Sequence, residues 1–83
     1  MKYRIIILRR AEKFIRKQPR HLQEKLLKEI YKLPEGDTKR MKGHNGLYRL
    51  RIDNVRVIYT IENDVLTINV IDAGNRGQIY KRY

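Results

Sequence analysis

Along this chain the spacing of apolar positions changes once, from a helical period to an alternating one, close to residue 47. Residues 2–8 (KYRIIIL) form a short, apolar, β-branched run that predicts a strand. Ala11, Phe14 and Ile15 then share one side of a helical wheel, with charges on the rest. Pro19 ends that helix or lies just past it. Leu22, Leu26, Leu27, Ile30 and Leu33 recur every three or four residues. This predicts a second helix from about residue 20 to 33, closed by Pro34 and Gly36. Neither helix opens on a good Ser, Thr or Asp cap. The stretch from Pro34 to Gly46 is loop-like, rich in Gly, charge and polar residues, and too short to separate domains.

From Leu47 onward apolar and polar residues alternate, and three strands fit: 47–52, 55–61 and 65–72. Asp53-Asn54 and Asn63-Asp64 suit two-residue hairpin turns, since Asp and Asn tolerate positive φ. The first turn pairs Ile52 with Val55, Leu50 with Val57 and Tyr48 with Tyr59. The second places Val70 beside Val57 and Ile68 beside Tyr59. One face of the meander is then apolar throughout, and the two helical stripes can cover it. The predicted fold is α+β, with two N-terminal helices packed on an antiparallel sheet in the order β-α-α-β-β-β. The length fits one domain, 1–83, and neither a repeat nor a low-complexity segment divides it.

The opposite face of the first hairpin carries Arg49, Arg51 and Arg56. The register sets Arg51 directly across from Arg56, and like charges placed so destabilise a strand pair. An anion, or a carboxylate from a partner, resolves that repulsion. Arginine suits phosphate because its planar fork donates two hydrogen bonds and stays charged. Arg49 reads equally well as a phosphate ligand or as a solvated side chain. Lys42 extends the positive surface from the preceding loop, where Gly43 and Gly46 permit close approach of a backbone. Lys39 and Arg40 read better as part of a flexible charged loop. Beyond the last strand, Gly74-Asn75-Arg76-Gly77 suggests a tight turn presenting Arg76. Tyr80 lies four residues on, either as a platform for an RNA base or as a C-terminal core residue. The basic side of the first helix (Arg9, Arg10, Lys13, Arg16, Lys17) reads mainly as a solvated face.

Composition narrows the partners. Twenty Lys and Arg against nine Asp and Glu give a formal charge of +11, which points to nucleic acid, an anionic membrane surface or an acidic protein. No apolar run approaches the ~20 residues of a membrane span, and Ile5-Ile6-Ile7-Leu8 is too short for a signal-peptide core. There is no cysteine, which fits a reducing intracellular setting and leaves no thiolate metal site or nucleophile. His21 and His44 lack metal-ligand spacing, and no cofactor motif is present. His44, in the loop before the basic strand, could donate a proton, although a lone loop histidine is more often incidental. Carboxylate pairs are not evident on the basic face. RNA, however, brings its own nucleophile, the 2′-hydroxyl, so an enzyme need only align it, stabilise charge and move protons.

Taken together, Met41-Lys42-Gly43, Leu47-Tyr48-Arg49-Leu50-Arg51, Val55-Arg56-Val57-Ile58-Tyr59, Gly74-Asn75-Arg76 and Ile79-Tyr80 resemble the RelE/ParE toxin superfamily over nearly the whole chain. The RelE branch implies a cytoplasmic toxin of a type II toxin–antitoxin pair. Such a toxin is a metal- and cofactor-independent endoribonuclease that cuts mRNA in the A site of the 70S ribosome, leaving a 2′,3′-cyclic phosphate and a 5′-hydroxyl. By position, the resemblance gives Arg49 and Arg51 phosphate binding and help to the 2′-hydroxyl. It gives Arg56 the scissile phosphate, Arg76 the leaving oxygen, Tyr80 the substrate base, and Lys42 a basic loop contact. The family often has Lys at positions 49 and 51. Arg is a poorer base, so charge stabilisation survives here and proton abstraction is left without an owner. The implied partners are mRNA, the ribosome, an acidic or amphipathic antitoxin and, through the antitoxin, operator DNA. The alternatives are a ParE-like gyrase inhibitor, a branch that generally lacks the full basic-plus-tyrosine set, and a non-catalytic nucleic-acid-binding domain.

Overall fold

The computed structural model describes residues 2–83. In chain order they form β1 (Arg4–Ile7), α1 (Arg9–Arg16), α2 (Arg20–Ile30), β2 (Thr38–Arg40), β3 (Tyr48–Ile52), β4 (Val55–Glu62), β5 (Thr67–Asn75) and α3 (Arg76–Arg82). The five strands make one sheet in the order β1-β5-β4-β3-β2. The expected α+β arrangement of two N-terminal helices on a largely antiparallel sheet is present. β1 departs from it by joining β5 in parallel, Ile5 beside Ile68 and Ile7 beside Val70. The two intervening helices make that return possible, because a parallel pair needs a long crossover.

The helical stripes do what their spacing predicts. Ala11 and Ile15 of α1, with Leu26 and Ile30 of α2, are buried against Leu50, Ile52, Val55, Val57, Tyr59, Ile68 and Val70 of the sheet. Full burial of a Val, Leu or Ile among these stabilises by about 1.5–3 kcal/mol relative to exposure. α2 stops at Ile30, short of the expected residue 33. The chain tightens there into i+3 bonds, Lys32 N–H to Glu29 O (3.2 Å) and Leu33 N–H to Ile30 O (3.0 Å). The residue before a proline is pushed out of the α region, so Leu33 reaches the core from a turn. Among the described residues, no helix is long and apolar enough to cross a membrane.

The β3–β4 hairpin has the expected register, with Ile52, Leu50 and Tyr48 opposite Val55, Val57 and Tyr59. Asp53 takes a positive φ of 51° in its turn. The β4–β5 register expected from Asn63-Asp64 is corrected. Asn63–Val65 form a 3-10 turn, and Leu66 adopts a left-handed conformation after it. The connection is therefore four residues, and Val70 pairs with Tyr59 while Ile68 pairs with Ile61. A second departure follows. Tyr59 pairs with Val70 but Ile58 pairs with Asp72, so Ile71 is an extra residue, a β-bulge.

That bulge reverses which side chains face the helices. Ile68 and Val70 lie in the main core; past Ile71 it is Ala73 that does so, opposite Val57. Asp72 and Gly74 are turned to the other face. There α3 covers part of the sheet, with buried Ile79 and Ile58 outside the main core. Gly74 permits the approach, since a Cβ there would stand 3.3 Å from Ile79 Cδ1. The expected tight turn at Gly74–Gly77 is thus replaced by the end of a strand and the start of a helix. Lys39 and Arg40, expected in a flexible loop, belong to β2, paired with Arg49 and Tyr48.

Candidate RNA-binding site

On the α3 face of the sheet, two rungs of neighbouring residues hold three of the six candidate side chains, Arg49, Arg51 and Arg56. Lys39, Arg49, Ile58 and Asp72 lie side by side across β2, β3, β4 and β5. The next rung holds Arg51, Arg56 and Gly74. It continues to Asp37, whose backbone oxygen accepts the Arg51 N–H at 2.9 Å.

The facing arginines avoid one another by going to different partners. Arg56 folds inward, only 6% exposed, and its Nη1 donates to the carbonyls of Asp53 (2.9 Å) and Val55 (3.2 Å). Arg51 reaches outward, its Nε donating to Asp37 Oδ2 at 2.6 Å. A carboxylate of this chain, Asp37, thus takes Arg51, and no anion among the described residues stands between the two arginines. Asp37 Oδ1 also stands 3.8 Å from Arg49 Nη1, a buried nitrogen that makes no hydrogen bond. The basic face carries two separate carboxylates, Asp37 and Asp72, each held by its own cations. Neither had a sequence signal. Asp37 sits in a turn, and alternation from Val70 places Asp72 in the core until the bulge is known.

Asp72 is fully buried and ties α3 down. It accepts hydrogen bonds from Arg82 Nε (3.0 Å) and Nη2 (3.1 Å), the Tyr83 hydroxyl (3.1 Å) and the Ala73 N–H (2.8 Å). Arg10 adds an ion pair at 3.7 Å. Burial pushes the Tyr83 hydroxyl above its usual pKa of 10.0, and the Asp72 carboxylate beside it adds to the effect.

Between the β2–β3 loop and α3 lies an open groove of about 850 Å³. Lys39, Arg40, Lys42 and Arg49 line it together with His44, Tyr80 and Tyr83, and no Asp or Glu is among its lining residues. Tyr80 is 46% exposed on the groove wall, and Ile79 takes the core position instead. In the sequence His44 is a lone loop histidine. Here its Nε2 meets the Tyr83 backbone oxygen at 3.0 Å, and its ring stands edge-on to the Tyr83 ring, with centroids 5.8 Å apart.

Of the candidate residues, then, Lys42, Arg49 and Tyr80 share the groove. Arg51 and Arg56 do not line it; they face each other next to the tip of the β3–β4 hairpin, the tip to which the Arg76 backbone also comes. The Arg76 N–H donates to Asn54 O at 2.7 Å, which docks the start of α3 on that tip. The Arg76 side chain is exposed and makes no ion pair with a described residue. Among the described residues, no three His, Asp or Glu side chains stand close enough to hold a metal ion.

The fold and this site can be set beside known proteins. No curated protein matches by sequence. The RelE of the archaeal RelE–RelB complex from Pyrococcus horikoshii superimposes with a TM-score of 0.74 at 25% identity, covering 94% of this chain and 99% of that one. The RelBE2 toxin–antitoxin complex of Mycobacterium tuberculosis gives 0.77 at 16% identity, covering 92% and 100%. The isolated Escherichia coli RelE toxin gives 0.70 at 23% identity, covering 96% and 93%. The solved structures carry RelE names, whereas the family model that matches, over residues 5–80, describes the ParE toxin of a type II toxin–antitoxin system. The two names meet at the level of the superfamily: this chain belongs to the RelE/ParE toxins of type II toxin–antitoxin systems.

Proposed function

We propose that this toxin is a RelE-type endoribonuclease that cleaves mRNA on the 70S ribosome without metal or cofactor, and that an antitoxin holds it inactive. The observation that carries this reading is the groove, with four cations and two tyrosines on its walls and no Asp or Glu. Such a surface suits a single-stranded polyanion whose bases stack while its phosphates are held. The antitoxin follows from the relatives, several of which are seen in complex with RelB. A chain of charge +11 suits an acidic partner.

In the proposed reaction the RNA 2′-oxygen loses its proton and attacks the adjacent phosphorus. The bond to the 5′-oxygen breaks, and that oxygen takes up a proton. The products are a 2′,3′-cyclic phosphate and a 5′-hydroxyl. Arg49 and Arg51 offset the extra phosphorane charge, and Arg56 supports it from the hairpin. Arg76 serves the leaving oxygen, Tyr80 stacks on a base, and Lys42 steers the backbone. Removing one preorganised donor of this kind costs about 100- to 1,000-fold in kcat.

The test is cleavage of mRNA on programmed 70S ribosomes by antitoxin-free protein, with Arg76→Ala as the control. Arg76 is the better control because its side chain is exposed, while Arg56→Ala would also loosen the hairpin turn. Cleavage on ribosomes that Arg76→Ala abolishes supports the reading, and full activity in that variant sinks it. The ParE family model favours a second reading, gyrase inhibition by binding alone. DNA breaks on expression with mRNA intact would establish that one.

A further inference from the structure

We infer that His44 is the general base of the proposed cleavage, the group that takes the proton from the RNA 2′-hydroxyl. The inference rests on the nuclease reading and fills a gap in it. A reaction begun by the 2′-hydroxyl needs a proton acceptor, and both basic strand positions are arginines, which stay protonated. The carboxylates on this face are already committed. Asp37 is engaged by Arg51 at 2.6 Å, and Asp72 is buried under Arg82 and Tyr83. Neither lines the groove.

His44 does line it, and its bonding assigns its protons. Nε2 lies 3.0 Å from the Tyr83 backbone oxygen. That oxygen only accepts, so Nε2 carries the hydrogen and the neutral ring keeps its lone pair on Nδ1. The same bond holds the loop against α3 and fixes the ring's orientation, as a base held by a third group requires. The ionisable groups around the groove are Lys39, Arg40, Lys42 and Arg49 from the strands and loop, and Tyr80 and Tyr83 from α3. Among the groove's ionisable side chains only an imidazole offers a nitrogen lone pair as a proton acceptor.

The proton balance is complete. Nδ1 takes the 2′-hydroxyl proton as the 2′-oxygen bonds to phosphorus and the bond to the 5′-oxygen breaks. The 5′-oxygen receives a proton from water on the Arg76 side of the site, and His44 returns its proton to solvent.

The test compares wild type, His44→Gln and His44→Ala in single-turnover cleavage of ribosome-bound mRNA from about pH 5 to 9, bracketing the ordinary histidine range. Glutamine keeps an N–H donor for the Tyr83 oxygen but has no basic nitrogen, so α3 stays docked. General acid–base catalysis contributes about 100- to 10,000-fold. Both variants should lose at least about 100-fold, and the rise in rate through the histidine range should vanish with them. Added imidazole should restore His44→Ala in proportion to its neutral form. Wild-type-like rates and pH profile in His44→Gln would overturn the inference while leaving the nuclease reading intact. So would a loss in His44→Ala alone that imidazole does not repair, which marks a role in holding the loop. No cleavage by wild type removes the nuclease reading, and His44's role with it.

Discussion

Replacing Asp72 by alanine should uncouple α3 from the sheet, and the structure sets the scale of the effect. The side chain is fully buried and accepts three hydrogen bonds from Arg82 and Tyr83 and one from the Ala73 N–H. A hydrogen bond to a charged group contributes about 1.5–3 kcal/mol, and a buried donor left unpaired costs about 1–3 kcal/mol. The bonds share one carboxylate, so they do not add. Arg82 is 41% exposed and regains water when released. We therefore expect a loss of about 3 kcal/mol, a large part of the 5–15 kcal/mol typical of a domain. For a chain this small that is roughly 12–24 °C in Tm. In urea, with m of about 1 kcal/mol/M, the midpoint falls by roughly 3 M. Asp72→Asn, which keeps the shape and one acceptor oxygen, should lose about half as much. Amide exchange should rise first in residues 76–82. A urea midpoint within about 0.5 M of wild type for Asp72→Ala would refute the reasoning, because the cluster would then be no more than a surface ion pair.

Tyr80→Ala should change stability by less than about 0.5 kcal/mol, since the ring is half-exposed. It should weaken binding of a short RNA by roughly 5- to 150-fold, the 1–3 kcal/mol of one base stack; unchanged affinity would remove it from the site. Asp37→Asn releases Arg51 and Arg49 from an exposed carboxylate. It should tighten RNA binding at low salt several-fold, with under ~1 kcal/mol change in stability, and weaker binding would show that Asp37 instead positions the arginines. Stability should also fall at alkaline pH. Burial raises the hydroxyls of Tyr59 and Tyr83 above 10.0 in the folded chain, so the unfolded chain loses those protons first. The contribution is complete below pH 10 and disappears as pH rises through the folded values. Denaturation that is flat from pH 9 to beyond about pH 11 would contradict this.

What could be read in the sequence was what local rules govern. The stripe from Leu22 to Leu33 and the two-residue turn at Asp53-Asn54 each need only their neighbours, and both the helix and the β3–β4 register follow. That register alone put Arg51 across from Arg56. Other features depend on distant contacts. The register of β5 turns on the conformation at Leu66 and on the bulge at Ile71, neither of which has a composition signal. β2 is three residues long, too short to show a period, and is a strand only because β3 lies beside it. α3 has a single fully buried residue, Ile79, and no polar cap bond at Asn75, so its period was invisible. The groove inherits these features. Arg49, Lys42 and Tyr80 could be nominated from sequence, but the meeting of His44 with Tyr83 required the helix to exist.

The parallel pairing of β1 with β5 also governs the order in which this chain can become a folded object as it is synthesised. β1 has no other neighbour in the sheet, and its partners, Thr67–Val70, lie more than sixty residues downstream. At translation speeds of roughly 5–20 residues per second, β1 waits on the order of 3–13 s for β5. Asp72, Gly74, Tyr80 and Tyr83 arrive with or after that strand, so no shorter nascent chain can assemble either rung or close the groove. That delay is also an interval in which a waiting antitoxin can claim the chain as it folds.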